Sequence, residues 1–169
     1  MPLMAKGTVI IMKNLIKRDK IGEVIDSQKR DGKKIVFTNG CFDILHVGHL
    51  RYLEEAKMFG DILVIGLNSD ASVKRLKGDK RPIVPEEERA EMLLGLKCVD
   101  YVVIFEENTP VEILGEVKPD VHVKGGDYTK DRLPEAEIVE RNGGRVEIVS
   151  LIKGKSTTNI VKKIKETEE

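Results

Sequence analysis

The chain has no tryptophan, only 4% aromatic residues, and just two cysteines, Cys41 and Cys98, among 169 residues. Two cysteines cannot build a disulfide framework, and these two lack the close spacing of a zinc knuckle or a CxxC redox site. A reducing, cytoplasmic setting is the expectation. An excess of charge is also missing: Lys plus Arg number 29 and Asp plus Glu number 29, for a formal net charge of zero. That balance argues against a nucleic-acid partner, which a basic surplus would attract. No apolar run approaches the ~20 residues that cross a bilayer, so no membrane partner is expected. The apolar patch Thr8–Met12 is too short for a signal-peptide core and no small-residue cleavage site follows it, so no export signal is read. What remains is 40% apolar and 34% charged residues, the composition of one globular domain with a buried core.

Residues 1–33 read as an N-terminal extension carrying one peripheral helix, in which Ile21, Val24 and Ile25 recur at helical spacing before an Asp31-Gly32 stop. Residues 34–169 read as the main domain. There, short apolar runs alternate with longer amphipathic ones, which predicts an α/β, Rossmann-like, doubly wound parallel sheet of about five strands with helices on both faces. The strands are expected at Ile35–Thr38, Ile62–Leu67, Tyr101–Phe105, Val121–Val123 and Val146–Val149. The helices are expected at Val47–Phe59, Asp70–Leu76, Pro85–Leu96, Pro110–Val117, Glu135–Asn142 and Thr157–Thr167. Pro85 suits a first helical turn, the acidic run Glu86-Glu87-Glu88 suits its dipole, and Asp70 reads as an N-cap. The irregular stretches Lys77–Val84 and Gly125–Pro134 follow elements whose ends face one sheet edge, where open parallel sheets bind ligands.

The densest chemistry lies between the first strand and the first long helix of that domain, in Thr38-Asn39-Gly40-Cys41-Phe42-Asp43-Ile44-Leu45-His46-Val47-Gly48-His49. Two of the three histidines are here. Their spacing puts His46 and His49 on one side of a helical first turn, where unpaired N–H groups and the dipole favour an anion. Gly48 leaves the backbone open to a phosphate, and Gly40 frees the strand-to-helix turn. A zinc site from Asp43, His46 and His49 lacks the HExxH arrangement, so no resident metal is expected. His122 reads as structural, and Cys41 as a packed small residue rather than a nucleophile. Gly154-Lys155-Ser156 is not a P-loop, because Val149 stands where that motif needs its first glycine, and no GxGxxG follows any strand. Gly154–Thr158 instead offers a second anion-friendly helix start.

His46-Val47-Gly48-His49 resembles the H-x-G-H signature of the nucleotidyltransferase superfamily, and Ser156-Thr157-Thr158 sits where that superfamily carries its I-S-T-T-like segment. Thr38–Asp43, Asn68–Ser72, Arg75–Asp79, Val123–Tyr128 and Ser156–Ile160 together resemble the adenylyltransferase domain of ADP-heptose synthases, over roughly Lys34 to Ile164. The resemblance implies transfer from ATP to D-glycero-β-D-manno-heptose 1-phosphate, giving ADP-heptose and pyrophosphate for lipopolysaccharide-core or surface-glycan precursors. Mg²⁺ would accompany the ATP. The same resemblance implies a stand-alone form with a separate sugar kinase, and a homodimer. One departure is local: related cytidylyltransferases carry a basic residue upstream of I-S-T-T, where this chain has Leu151 and Ile152 followed by Lys153 and Lys155.

The implied reaction needs no base, since the attacking sugar phosphate is already an anion. It asks for in-line positioning and charge neutralisation. His46 and His49 are the expected catalytic groups, with Asp43 orienting the turn or helping to hold Mg²⁺, and Lys77 clamping phosphate. Thr38, Asn39, Gly40, Cys41, Phe42, Gly48 and Arg89 are expected around the nucleotide. By the resemblance, Lys124, Gly125, Gly126 and Asp127 join them from one side, with Ser156, Thr157 and Thr158 from the other. Asn68, Asp70, Lys74 and Arg81 would line the sugar-phosphate mouth. The alternatives are a cytidylyltransferase acting on glycerol 3-phosphate, a pantetheine-phosphate adenylyltransferase, and a nucleotide-binding module without turnover. A class I aminoacyl-tRNA synthetase fragment is excluded by the missing K-M-S-K-S string and basic surplus.

Overall fold

The computed structural model describes residues 12–126 and 133–168. Among them, β1 (Leu15–Ile16), α1 (Ile21–Arg30), β2 (Ile35–Gly40), α2 (Val47–Lys57), β3 (Ile62–Asn68), α3 (Asp70–Lys77) and α4 (Glu86–Leu94) come first. They are followed by β4 (Tyr101–Phe105), α5 (Val111–Val117), β5 (Val121–Gly125), α6 (Ala136–Arg141), β6 (Arg145–Val149) and α7 (Thr157–Glu166). The sheet runs β1-β4-β3-β2-β5-β6, with every pairing parallel.

Side chains alternate across this sheet because the strand period is two, so each face receives its own apolar layer. Val36, Leu63, Ile65, Val102, Val121 and Val123 face one core with Leu53 and Ala56 of α2 and Ala90 and Leu93 of α4. Ile35, Phe37, Val64, Val103 and Phe105 face the other, with Ile21 and Ile25 of α1 and Ile113, Leu114 and Val117 of α5. The expected doubly wound sheet is thus present, with a sixth strand. That strand is only two residues long, too short for a periodic signal, and pairs Leu15 with Val102 and Ile16 with Val103. Helix α1 is not peripheral: Ile21 and Ile25 are fully buried.

Chain order from β2 to β3 to β4 proceeds in one direction, and β5 then returns to the other side of β2. The switch point therefore lies between β2 and β5, where the two following connections leave in opposite directions and open a crevice. The ladder shows the opening. β2 and β5 pair only at Val36–Val121 and Phe37–His122, after which β2 continues along β3 and β5 along β6. Tyr52 of α2 fills the fork. Its hydroxyl donates to Val123 O at 3.1 Å, so the Thr38 hydroxyl donates to it at 2.6 Å. Burial pushes the Tyr52 phenol up to about 12, which keeps it a donor.

Candidate active site

The cleft at this switch point has a volume of about 540 Å³. Its floor is the end of β2 and the loop that follows. There Phe42 adopts a left-handed backbone (φ 46°) that turns the chain from strand into helix. Asp43 then reaches across to the segment before α4. Its Oδ1 accepts from the backbone N–H of Ile83 (2.8 Å) and Val84 (2.9 Å), and its Oδ2 from Arg81 Nη1 (2.9 Å). Burial alone would raise the Asp43 pKa; the Val84 and Ile83 N–H groups and the Arg81 guanidinium outweigh it and hold the carboxyl below its usual value. Both oxygens are engaged, so Asp43 is a clasp between two loops and fits poorly as a ligand for Mg²⁺. Among the described residues, no group of three or more His, Cys, Asp or Glu is arranged to hold a metal.

His46 is the N-cap of α2, and its Nδ1 accepts from Gly48 N at 3.1 Å. An accepting Nδ1 leaves the proton on Nε2, so His46 is a neutral N–H donor. His49 stacks on it with ring centroids 3.8 Å apart and meets the edge of Phe42 at 5.3 Å. Burial first, and the neighbouring His46 second, lower the His49 pKa to about 4. Burial and then Lys155 lower that of His46. Gly48 cannot carry a side chain here: an added Cβ would lie 2.9 Å from the His46 ring and 3.1 Å from Lys155 Cβ. Gly125 is constrained in the same way, 2.7 Å from Leu151 Cδ2 and 3.1 Å from Tyr52 Cε2.

The opposite wall is the start of α7. Ser156 caps it by accepting from Asn159 N at 3.1 Å, and Thr157 Oγ1 donates to Ile44 O at 3.2 Å, tying this helix to the histidine loop. Two helix N-termini therefore converge on one cleft, a ready anion environment.

Asn39, Gly40, Cys41, Phe42, Asp43, His46, Gly48, His49, Lys77, Arg81, Lys124, Gly125, Ser156, Thr157 and Thr158 all line the cleft. Thr38 lies just below, spent on Tyr52. Gly126 follows the β5 edge, its N–H bonded to Val149 O at 3.0 Å. Asp127 lies outside the described residues. Cys41 has a thiol pushed up by burial, consistent with a packing role. Lys74 is exposed and not part of the lining. Asn68 and Asp70 also stand outside it: Asn68 Nδ2 donates to Ser72 Oγ at 2.9 Å, while Asp70 pairs with Arg89 Nη2 at 2.7 Å.

Arg89 is not at the cleft surface but 1% exposed behind it. Its guanidinium donates to Val84 O (2.9 Å), Cys41 O (2.6 Å), Asn68 O (2.9 Å) and Asp70 Oδ1 (2.7 Å). It welds the ends of β2 and β3, the start of α3 and the segment before α4. It is a positioning residue, spent where a phosphate contact was expected. Conversely Tyr52, Val73, Leu151, Ile152 and Lys155 line the cleft without having been among the expected site residues. Tyr52 was detectable three residues beyond His49 on the same helix face, and Leu151 and Ile152 as an apolar pair beside a glycine turn.

A switch-point crevice fed by two helix starts and a stacked neutral histidine pair defines a nucleotidyltransferase. The cytidylyltransferase-like family model matches residues 37–168, and the chain belongs to that family. It is 57% identical over 149 residues to the bifunctional protein HldE of Pelobacter propionicus, covering 88% of this chain and 30% of that protein. It is 58% identical over 153 residues to the bifunctional protein HldE of Geobacter metallireducens, covering 90% and 31%. This chain thus spans under a third of the length of these relatives. Among solved structures it is similar to a lipopolysaccharide core biosynthesis protein from Thermoplasma volcanium, with a TM-score of 0.58 and 37% identity over 73% of this chain and 100% of that one. No described helix is long and apolar enough to cross a membrane.

Proposed function

We propose that the protein transfers AMP from ATP to the phosphate of D-glycero-β-D-manno-heptose 1-phosphate, releasing pyrophosphate and ADP-heptose. The observation that carries this reading is the identity of more than half the aligned residues to HldE proteins over 88% of the chain, together with a family match over residues 37–168 that takes in the whole cleft. A heptose 1-phosphate oxygen attacks the α-phosphorus of ATP; the new O–P bond forms as the bond to the bridging oxygen breaks, and pyrophosphate leaves with that electron pair. No proton moves at the nucleophile. The neutral His46 Nε2–H, the first turns of α2 and α7, and Lys77 meet the charge that builds on the transferring and leaving phosphates. Mg²⁺ would come with the ATP as part of that substrate, supplying charge neutralisation, since both Asp43 oxygens are already engaged by Ile83, Val84 and Arg81. The work is done in the cytoplasm, where ATP is available, and a kinase-type reaction supplies the sugar 1-phosphate.

The test is pyrophosphate release with Mg²⁺ and either ATP or CTP, offered against both anomers of heptose 1-phosphate, glycerol 3-phosphate and phosphopantetheine. Release with ATP and the β-anomer alone is the expected result. Turnover with CTP or another acceptor reassigns the substrate, and silence across the panel leaves a binding module.

A further inference from the structure

The cleft cations fall into two groups. Arg81 is paired with Asp43 at 2.9 Å and Lys124 with Glu135 at 2.9 Å. Lys77 and Lys155 line the same cleft, and among the described residues neither has a carboxylate within ion-pair distance. They approach it from different elements, Lys77 from the end of α3 and Lys155 from the residue before the α7 cap. Lys155 is the one built against the histidines. Its stem packs over Gly48 so closely that a Cβ there would lie 3.1 Å away, and its charge acts on His46. Its backbone N–H bonds Ile152 O, closing the turn that brings it to this position. Lys153, two residues earlier, is exposed and no part of the lining.

From this placement we infer that Lys155 is a further catalytic residue, contacting the β- and γ-phosphates of the nucleotide beside His46 and neutralising the pyrophosphate as it leaves. The inference rests on the nucleotidyl-transfer reading. The geometry explains why the ammonium is held one helical cap away from the histidine pair and, among the described residues, has no carboxylate within ion-pair distance. A prepaired cation would have to break its ion pair for every substrate, whereas Lys155 meets the polyanion with its charge unspent. Burial first and Lys155 second lower the His46 pKa, so this neighbour adds to what burial does: a positive charge close by discourages a second one until phosphate arrives between them.

The test compares Lys155→Gln, Lys155→Arg and Lys153→Gln with the wild type in two readouts: turnover, and affinity for inorganic pyrophosphate by calorimetry. Both sites are exposed, and melting curves verify the folds. Lys155→Gln is expected to lower kcat about 10²-fold with little change in the acceptor KM, and to weaken pyrophosphate about tenfold, with Lys155→Arg recovering part of both. Lys153→Gln is expected to match the wild type. Equal pyrophosphate affinity in Lys155→Gln and wild type overturns the inference, as does an equal loss in Lys153→Gln. If the wild type binds pyrophosphate but turns over no heptose 1-phosphate, the substrate reading fails while the calorimetric comparison still decides Lys155.

Discussion

Two sets of charged residues sit within one cleft wall of each other and behave oppositely. Arg89 behind the floor and the Asp43–Arg81 pair along it are consumed by backbone carbonyls, backbone N–H groups and each other, joining the loop after β2 to the segment before α4. At the centre, the stacked His46 and His49 and the flanking Lys77 and Lys155 have few protein partners. A buried guanidinium must be satisfied internally, because an unpaired one carries a desolvation cost of several kcal/mol. A group that meets a ligand must be left with capacity to spare. The same residue types therefore serve as frame in one region and as chemistry in the other, and partner count separates them where composition does not.

Replacing His46 with Ala gives the largest expected break in this contrast. Turnover should fall by about three orders of magnitude while stability falls only by the ~1 kcal/mol that loss of the α2 cap bond costs, because the group lost is central to the chemistry and peripheral to the frame. Gly48→Ala follows, with a loss of about 10²-fold in kcat as the added methyl displaces the His46 ring, measured by steady-state kinetics. Arg89→Ala should act on the frame instead, costing about 3 kcal/mol in urea unfolding, since three carbonyls and a carboxylate lose their donor. Tyr52→Phe should cost about 1 kcal/mol in the same assay, because the Thr38 hydroxyl and Val123 carbonyl lose their bridge.

The last effect is in pH. His49 is held at about 4 in the fold against 6.5 in the open chain. The unfolded chain therefore binds more protons than the folded one between those values, and stability falls as pH drops through that window. His49→Gln should flatten the slope of melting temperature against pH there; an unchanged slope would mean that His49 titrates normally.

Much of the frame was legible because it rests on periodicity. The β4 expectation, Tyr101–Phe105, coincides with the strand, and the six expected helices differ by no more than two residues at either end. The strand ends on the cleft edge of the sheet ran longer than expected: β2 through Asn39-Gly40 and β5 through Lys124-Gly125, which line the cleft, and β3 through Asn68 beside it. Those residues look like loop by propensity, yet they stay in the ladder because polar and glycine residues are what a strand end facing a ligand carries. Asp70 was read as the cap of α3, but Ser69 accepts the capping bond from Ser72 N, and Asp70 is instead in the first turn, free to pair with Arg89. Its preceding neighbour had the same chemistry, and local pattern could not choose between them.

The site was legible where spacing encodes it, at His46, Gly48 and His49, and opaque where long-range pairing decides. Nothing near Arg89 in sequence announces that Cys41 O and Asn68 O will consume its donors, 48 and 21 residues away. Lys155 and Lys153 were equally plausible in a string; the turn at Gly154 and the cap at Ser156 separate them.

The most direct test of this division uses the chain's three histidines. His46 and His49 belong to the centre, whereas His122 is fully buried against Phe37, with its Nδ1 3.3 Å from Phe37 O. Their imidazole resonances can be followed by NMR as inorganic pyrophosphate is added across a pH series. Movement of the His46 and His49 signals, with both pKa values rising and His122 unmoved, is the predicted result. Pyrophosphate that binds while His46 and His49 stay still would contradict the account, because the anion would then be seated away from the only histidines the fold leaves open to it.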